Sequence, residues 1–411
     1  MSVISMHRPV AGLLLVVLVL ATTPGVAGNQ VEAKVSQAEI PWEELLDVGI
    51  EIFDPGLPEE DEHALVEKGI FPDLRRSEAK FLAVHLKRTL ESTGHWGAVT
   101  VLPAHTEGVD VNVSGQLVVS TGMELALRIR VVDSLGRVWK DKRYRQEADQ
   151  RAYLDEDEVA EAGDPYQSLY NKIANDMLHE RESLKPKQLR QIREIAAVKF
   201  AADIAPDVFG GYLKVNKKGR YKVQRLPAED DPIMERIVRV RERDYLFVDT
   251  LNEHYGNFHD QMLVSYDEFR MHSYYEERTL RAVRREARIG KILGGLLLVG
   301  AAIAPGSTRT ARAARTATGV AGGMVFAEGI ERGKGAKIHV ESLKELAQSF
   351  DAEMEPMLVE VEGRVLRLEG SAEAQYAAWR KLLHEIFTEE VSLPVDLNAD
   401  NLPAEPQVAT D

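Results

Sequence analysis

Residues 109–144 have the sequence VDVNVSGQLVVSTGMELALRIRVVDSLGRVWKDKRY, and this stretch decides the fold class. Around Arg128 and Arg130 the residues alternate strictly between apolar and polar. Such alternation predicts a strand with one buried face and one wet face. Residues 133–136 (DSLG) predict a turn, and Val138 begins a returning strand. The stretch therefore predicts several consecutive β-strands.

The segments on either side add helices and further strands. Residues 48–52 have a strand's period of two, and a short strand is predicted at residues 99–101. Between them, a helical pattern opens at Ser77 and is closed by Gly94. A second amphipathic helix is predicted after Asp164, which we expect to be its N-cap. This order of elements indicates an α/β amino-terminal domain.

Two short motifs lie within this domain, residues 41–184. Residues 113–115 (VSG) form a V-x-G strand, and Asp133 with Gly136 forms a D-x-x-G turn. In this order the segment resembles the amino-terminal domain of TolB and related bacterial envelope modules. The resemblance implies an α/β domain that docks partners rather than an active site. No propeller repeat follows it and no lipobox cysteine precedes it, so TolB's own role and lipoprotein anchoring are not implied.

Composition excludes several functional classes. The 411 residues include no cysteine, which excludes disulfides, thiolate zinc sites and a lipid-modified cysteine. The formal net charge of −15 argues against a general nucleic-acid binder, because such proteins need clustered Lys and Arg. We therefore expect no nucleic-acid partner.

The amino terminus has the pattern of a secretory signal. Arg8 precedes an apolar run at residues 10–21, and small residues follow it. We expect residues 1–28 to be a signal peptide cleaved after Ala27 or Gly28, with an uncleaved anchor as the alternative. The protein is accordingly expected to be exported to the periplasm or the membrane-associated cell envelope.

Residues 185–288 are predicted to be mainly helical, with a β-hairpin at residues 211–226. The hairpin is basic, and the residues that we expect to bind an anionic surface are Lys214, Lys217, Lys218, Arg220 and Lys222. Anionic lipid headgroups and glycans are both suitable ligands, and a solvated hairpin without a ligand is the alternative.

After Pro232, apolar residues recur at a three-four spacing for about four heptads. Two antiparallel helices and one long helix would both give this pattern. Gly256 and Asn257 offer a break, so two helices are favoured.

Residues 289–330 contain nine of the thirty glycines. Two apolar stretches, residues 292–304 and 316–327, predict a helical hairpin that resembles the glycine-zipper hairpins of bacterial envelope proteins. The glycines expected to mediate membrane contact or assembly are Gly290, Gly294, Gly295, Gly300, Gly319 and Gly323.

The apolar stretches of this hairpin are short for a membrane span. Thirteen helical residues cover only ~20 Å, whereas the hydrocarbon core is ~30 Å thick. Membrane insertion as a re-entrant hairpin, burial in protein or in an oligomer, and an ordinary linker therefore all remain open.

Residues 336–390 predict a small αββα unit. Ser342 and Glu345 form a capping box, residues 357–371 (MLVEVEGRVLRLEGS) predict a hairpin, and a helix carrying Trp379 follows. The unit resembles BON-type modules of envelope proteins. Residues 391–411 are expected to be disordered. The fold class is therefore α+β and multi-domain.

No catalytic motif is present. The best candidate metal ligands are Glu253, His254, His259, Glu268 and His272, which we interpret as packed or solvated side chains. The acidic run at residues 59–62 lacks the glycine and alternating ligands of a calcium loop, so it is interpreted as a charged loop. No cofactor is expected.

These observations predict a non-enzymatic, exported cell-envelope protein. Its α/β domain would dock an envelope partner, and its glycine-rich hairpin would associate with a membrane or form homo-oligomers. A soluble periplasmic module that binds glycan or lipid through the basic hairpin is the alternative. A third possibility is an enzyme that uses Glu268 and His272.

Overall fold

The computed structural model describes residues 30–67, 70–153, 163–228, 230–303, 345, 357–361 and 364–392. The described residues from Val31 onward cluster as one compact unit. The predicted signal peptide lies outside the described residues, as do the second apolar stretch and most of the predicted tail.

A five-stranded mixed sheet forms the centre of the fold, so the α+β class is confirmed. Its strands are β1 (Val48–Glu51), β2 (Val99–Leu102), β3 (Val111–Ser120), β4 (Glu124–Asp133) and β5 (Val138–Glu147). Their spatial order is β2-β1-β3-β4-β5. Strand β1 is parallel to both of its neighbours, and β3, β4 and β5 are antiparallel. The strands predicted from the alternating pattern are confirmed.

One face of this sheet is closed by apolar packing. Leu127, Ile129 and Val131 alternate along β4 and are completely buried. On β3, Gly115 leaves room for the ring of Phe53, which a Cβ would approach to 2.4 Å. This inner face therefore contributes much of the hydrophobic core.

Helices α1 (Glu62–Glu67) and α2 (Pro72–Thr93) connect β1 to β2. The predicted end of α2 is confirmed, because Gly94 follows it in the left-handed conformation with φ 67°. The predicted start at Ser77 is wrong. Pro72 starts the helix, since its fixed φ suits a first turn. The Ser77 hydroxyl instead donates to the carbonyl of Asp73 inside the helix.

In the part of the chain that the structure describes, further α-helices and a small hairpin follow the sheet. They are α3 (Gln167–Glu182), α4 (Pro186–Ile204), α5 (Pro206–Phe209) and the strands β6 (Leu213–Val215) and β7 (Tyr221–Val223). The predicted N-cap at Asp164 is wrong, because Tyr166 occupies that position. Asp164 uses one carboxylate oxygen to accept the Tyr166 amide at 2.8 Å, and this leaves the other oxygen for an ion pair.

Helix α6 (Pro232–Ile303) is one continuous helix of 72 residues. The prediction of two antiparallel helices is therefore wrong. Gly256 lies inside the helix, where glycine costs about 1 kcal/mol relative to alanine. Burial of the neighbouring Tyr255 and Phe258 outweighs this cost, because each aromatic side chain gains about 1.5–3 kcal/mol on burial.

Helix α6 also covers one edge of the sheet. The Asn252 side chain accepts the Val101 amide at 2.7 Å and donates to the Val101 carbonyl at 3.2 Å. The side chain thus takes the hydrogen-bonding role of a neighbouring strand. This covers β2, whose free backbone groups would otherwise be a site for pairing with another chain.

A buried polar cluster fixes α6 further along. Arg270 is almost completely buried and donates to Asp164 at 2.9 Å. The Tyr266 hydroxyl donates to Glu78 at 2.8 Å, and Ser120 donates to the same carboxylate at 2.7 Å. The cluster joins α6 to α2, to β3 and to the segment before α3.

The carboxy-terminal hairpin and helix are confirmed as β8 (Met357–Val361), β9 (Arg364–Leu368) and α7 (Ala372–Ser392). Trp379 stacks on Phe247 of α6 at 4.8 Å and donates to Asp244 at 3.0 Å. The first helix predicted for the αββα unit lies outside the described residues, apart from Glu345.

Within the described part of the chain, no helix is both long enough and apolar enough to cross a membrane.

Candidate functional site

The basic hairpin lies where the sequence predicts it, on β6 and β7. The five predicted binding residues, Lys214, Lys217, Lys218, Arg220 and Lys222, are all exposed. The turn is held by Asn216, whose side chain accepts the amides of Lys218 at 2.8 Å and Arg220 at 3.1 Å. Gly219 completes the turn with φ 73°. The cations therefore project from a defined turn.

The hairpin is fixed against the turn between β4 and β5. The Tyr221 amide donates to the carbonyl of Leu135 at 2.9 Å. A Cβ on Gly136 would lie 2.3 Å from the Gly219 carbonyl oxygen, so only glycine allows this approach. Lys199 of α4 lies over the Tyr221 ring, with its Nζ 3.7 Å from the ring centre. The basic hairpin is thus positioned relative to the sheet.

A pocket of about 230 Å³ lies between the hairpin and the sheet. Its lining includes Lys218 of the hairpin, Arg130 of β4, Lys199 of α4 and two residues of the loop after β2, His105 and Glu107. The pocket connects the basic hairpin with the outward face of the sheet, a link that the sequence did not predict.

Ion pairs determine the charges in this pocket. The ion pair with Glu107, whose carboxylate lies 3.7 Å from the imidazole, and the hydrogen bond to Glu51, at 2.7 Å, raise the pKa of His105 to about 9, so the imidazole is cationic at neutral pH. The ion pair with His105 and the hydrogen bond from Lys199, at 2.5 Å, lower the pKa of Glu107 to about 2. His105 and Lys199 are therefore largely neutralised, whereas Lys218 is exposed.

The outward face of the sheet carries a second group of cations. We name Arg128, Arg130, Arg143 and Asp141 the arginine face. Arg128 lies directly opposite Arg143 in the register of β4 and β5, and Arg130 lies opposite Asp141. All four side chains are exposed. Like charges directly opposite each other destabilise a sheet, so the Arg128–Arg143 pair departs from ordinary strand pairing.

A single carboxylate connects two of these arginines. Asp141 accepts Arg128 Nε at 3.1 Å and Arg130 Nη1 at 3.2 Å. The hydrogen bond from Arg128 lowers the pKa of Asp141. Within the described residues, Arg143 has no carboxylate partner.

The predicted glycine site lies only partly within the described residues. Gly290, Gly294, Gly295 and Gly300 belong to the last turns of α6, and Gly290 and Gly294 are about one helical turn apart. Gly319 and Gly323 lie outside the described residues. The predicted pairing of two glycine-containing helices therefore stays a prediction.

A larger cleft of about 840 Å³ lies beside the amino ends of β1 and β3. Trp42 and Tyr245 give it aromatic walls, and Arg193 contacts the Trp42 ring at 5.2 Å. Burial and the neighbouring Asp47 raise the pKa of Asp110 to about 6. The sequence analysis missed this cleft because its residues come from segments that are far apart in the chain.

The candidate metal ligands are spread along α6. His259 is buried and stacks on Phe81 at 4.1 Å, and its Nδ1 accepts Arg88 Nη1 at 3.0 Å. Glu268 and His272, in contrast, are exposed. Among the described residues, no group of three His, Asp or Glu side chains has the geometry to hold a metal ion.

Comparison with known proteins finds no protein-family model and no curated protein whose sequence matches this chain.

Proposed function

We propose that this protein is a non-enzymatic, exported component of the cell envelope that associates with a membrane through its glycine-rich segment. The sheet and the helices packed on it form a body that docks a partner, as the resemblance to TolB implies. Helix α6 connects this body to the glycine-rich segment. In a second form of the proposal, the same segment pairs with a second copy of the chain.

The observation that carries the proposal is the continuity of α6. The helix is fixed to the body as far as Tyr275, whose hydroxyl donates to the carbonyl of Tyr153 at 2.9 Å. It then continues for 28 residues to Ile303, a length of about 42 Å. A continuous helix holds the glycine-rich segment at a fixed distance from the last of these contacts, which a flexible linker would not do.

Charge supports a membrane as the target of this segment. The residues that precede the apolar stretch include six cations: Arg278, Arg281, Arg284, Arg285, Arg288 and Lys291. Basic side chains next to an apolar segment interact favourably with anionic headgroups, at about 1 kcal/mol each. The insertion that we propose is a hairpin that enters the bilayer without crossing it.

Two finer features belong to the same proposal. The spacing of Gly290 and Gly294, repeated at Gly319 and Gly323, supports close packing of two helices as in a glycine zipper. The β8–β9 hairpin followed by α7 supports a BON-like αββα unit at residues 336–390.

Alkaline carbonate extraction of membranes from cells that express the full chain tests the proposal. We expect the protein in the membrane pellet. The double variant Leu297→Asp with Val299→Asp should be recovered in the soluble fraction, because charged side chains are energetically unfavourable in the hydrocarbon region. A matched control carries aspartate at Leu246 and Val264. Both side chains are exposed on the part of α6 that packs on the body.

The control should remain in the pellet. Recovery of all the unmodified protein in the soluble fraction would contradict membrane insertion. Cross-linking of that fraction would then test the second form of the proposal: dimers that disappear in the Leu297 and Val299 variant would support pairing of two copies.

The exposure of all five hairpin cations favours a second candidate function, a soluble periplasmic module that binds anionic glycan or lipid. Heparin, used as a soluble anionic glycan, should retain the protein. Charge reversal at Lys217, Lys218 and Arg220 should make it elute at lower salt, and unchanged retention would count against this function. Charge reversal at Arg76, Arg367 and Lys381, which lie elsewhere on the surface, is the control.

A further inference from the structure

The arginine face is unusual because its charges are distributed in two dimensions. Arg128 and Arg130 are two residues apart on β4, which places them about 7 Å apart along the strand. Arg143 lies opposite Arg128 on β5, where opposing Cβ atoms are about 5 Å apart. Three guanidinium groups therefore form a triangle on one open sheet face of a protein whose net charge is −15.

The described residues neutralise this triangle only in part. Asp141 uses one oxygen for Arg128 and the other for Arg130. Arg143 has no carboxylate partner among the described residues, although it faces another arginine. A repulsive cross-strand pair lowers the stability of the fold, and such departures from local rules are expected at functional sites.

The chemistry of guanidinium indicates the type of ligand. Its planar arrangement of donors matches the oxygens of phosphate and carboxylate groups, to which it can donate two parallel hydrogen bonds. The neighbouring outward residues of β3 are Asn112, Ser114 and Gln116. The side-chain amides of Asn112 and Gln116 already contact His105 at 3.0 Å and Asp54 at 2.9 Å, so the Ser114 hydroxyl is the group that they leave for a ligand. An oxyanion ligand would thus meet both charge and hydrogen-bond donors.

We propose that the arginine face binds the phosphate groups of an anionic lipid surface. This contact is additional to the proposed insertion of the glycine-rich segment and does not depend on it. The body would lie against the headgroups through the outward side of its sheet, and the lipid phosphates would supply the anionic partner that Arg143 lacks among the described residues.

The shape of the face favours a lipid surface over a linear polyanion. Headgroup phosphates are arranged in two dimensions, as the three arginines are, whereas an extended polymer follows one line. Single-stranded nucleic acids are usually bound with aromatic rings on which bases stack. The outward residues of β3 and β4 near the arginines are polar or aliphatic, namely Asn112, Ser114, Gln116 and Val132.

The pocket beside this face supports the same ligand. It has a volume of about 230 Å³ and lies between Arg130 and Lys218. A headgroup that entered it would contact both cations. The exposed lysines of the basic hairpin extend the positive surface beyond the sheet.

Vesicle sedimentation tests the proposal with the full chain that carries Leu297→Asp and Val299→Asp, which removes insertion by the glycine-rich segment. We expect this protein to bind vesicles of phosphatidylglycerol and not vesicles of phosphatidylcholine. Binding should weaken as salt is raised from about 50 to about 300 mM, because screening of exposed charges increases. Replacement of Arg128, Arg130 and Arg143 by glutamine should weaken it roughly a hundredfold, at about fivefold per arginine.

The control has the same change in net charge. It replaces Arg76, Arg367 and Lys381, which are exposed elsewhere, with glutamine, and it should bind as the parent does. An equal loss in both triple variants would mean that net charge alone drives binding, and would overturn the proposal. Unchanged binding in the arginine-face variant would also overturn it.

Two further measurements keep the test decisive. The single change Arg143→Gln breaks no ion pair of the described structure, so it tests the face even if the triple variant fails to fold; we expect a loss of about fivefold. Polyglutamate serves as a soluble acidic polypeptide. Binding of polyglutamate without binding of phosphatidylglycerol vesicles would assign the face to an acidic protein partner and overturn the lipid proposal.

Because insertion is disabled in this background, the outcome does not depend on the carbonate extraction. Loss of vesicle binding in the arginine-face variant, together with recovery of the unmodified protein in the carbonate-soluble fraction, would support the lipid contact and reject insertion. Unchanged vesicle binding in the arginine-face variant, together with an unmodified protein that stays in the carbonate pellet, would reject the lipid contact and support insertion.

Discussion

The two faces of the five-stranded sheet are formed by alternating residues of the same strands, yet their environments are opposite. On β4, Ile129 is completely buried, while its neighbours Arg128 and Arg130 are exposed. The inner face is determined by packing against helices. The outer face near Arg128 and Arg130 lies in solvent, so packing does not determine its residues, and the lipid contact that we propose would use them.

The arginines of the two sides show the same contrast. Arg270 is buried with Asp164, and each is surrounded by protein. Arg128 and Arg130 share Asp141 in solvent. A buried ion pair is costly to break because one charge is left without a partner, whereas an exposed pair contributes little. Stability and binding can therefore be perturbed separately.

The largest effect is expected for Arg270→Ala. Removal of this side chain leaves Asp164 buried without its cation, which should lower the free energy of unfolding by about 3–5 kcal/mol. Urea denaturation measures it. Arg281→Ala is the control, because Arg281 pairs with Glu277 in solvent and its loss should cost at most about 0.5 kcal/mol. A loss below about 1 kcal/mol for Arg270→Ala would contradict the assignment of this cluster as structural.

Neighbouring residues of β4 give the sharpest comparison of the two faces. Ile129→Ala creates a cavity in the core and should lower the free energy of unfolding by about 3 kcal/mol. Arg128→Ala should change it by no more than about 0.5 kcal/mol. Both are measured by urea denaturation under the same conditions. Similar values for the two variants would remove the distinction between the faces.

The pH dependence of stability should reflect His259 on the buried side. Burial lowers the pKa of His259 to about 4, so between pH 6.5 and pH 4 the unfolded chain binds a proton that the folded protein does not. Stability from this group is present above pH 6.5 and falls as the pH drops to about 4. His259→Phe, which keeps the stacking on Phe81, should remove roughly 3 kcal/mol of this dependence.

The difference between the two pH profiles isolates His259. The pKa of Asp110 is raised to about 6, so this group stabilises the fold as the pH falls, and it does so equally in both proteins. Superimposable profiles for the His259→Phe variant and the unmodified protein would show that His259 is not held neutral.

On the open side, His105 should have the opposite pH dependence and the smallest effect. Its pKa is raised to about 9 by the ion pair with Glu107 and the hydrogen bond to Glu51, so its contribution is complete below pH 6.5 and is lost as the pH rises through 9. The side chain is 58% exposed, and solvent screening limits the contribution to below about 1 kcal/mol. Titration by NMR of the imidazole protons should give a midpoint near 9, and one near 6.5 would contradict the ion pairs.

The sheet was predictable from the sequence because its signals are local. Alternation marks the strands, and the turn at residues 133–136 and the cap at Gly94 follow from residues within a few positions of each other. The continuity of α6 was not predictable in this way. It depends on burial of Tyr255 and Phe258 against the rest of the protein, which a break signal at Gly256 and Asn257 does not reveal.

The arginine face, too, could be predicted only in part from the sequence. The exposed positions of Arg128 and Arg130 follow from the alternation. The position of Arg143 opposite Arg128 depends on the register of two strands, including a shift between Val131 and Val132. The pairing of Arg270 with Asp164 joins residues 106 positions apart, and no local pattern predicts it.

The absence of cysteine allows a direct test of the account, because a single introduced cysteine can be labelled specifically. An environment-sensitive fluorophore would be placed at Gln116, on the outer face of the sheet, or at Gln261, exposed on α6. On addition of phosphatidylglycerol vesicles, we predict a blue shift of emission for the label at Gln116 and none for the label at Gln261. No shift at Gln116, or equal shifts at both positions, would contradict the conclusion that the outer face of the sheet contacts an anionic lipid surface.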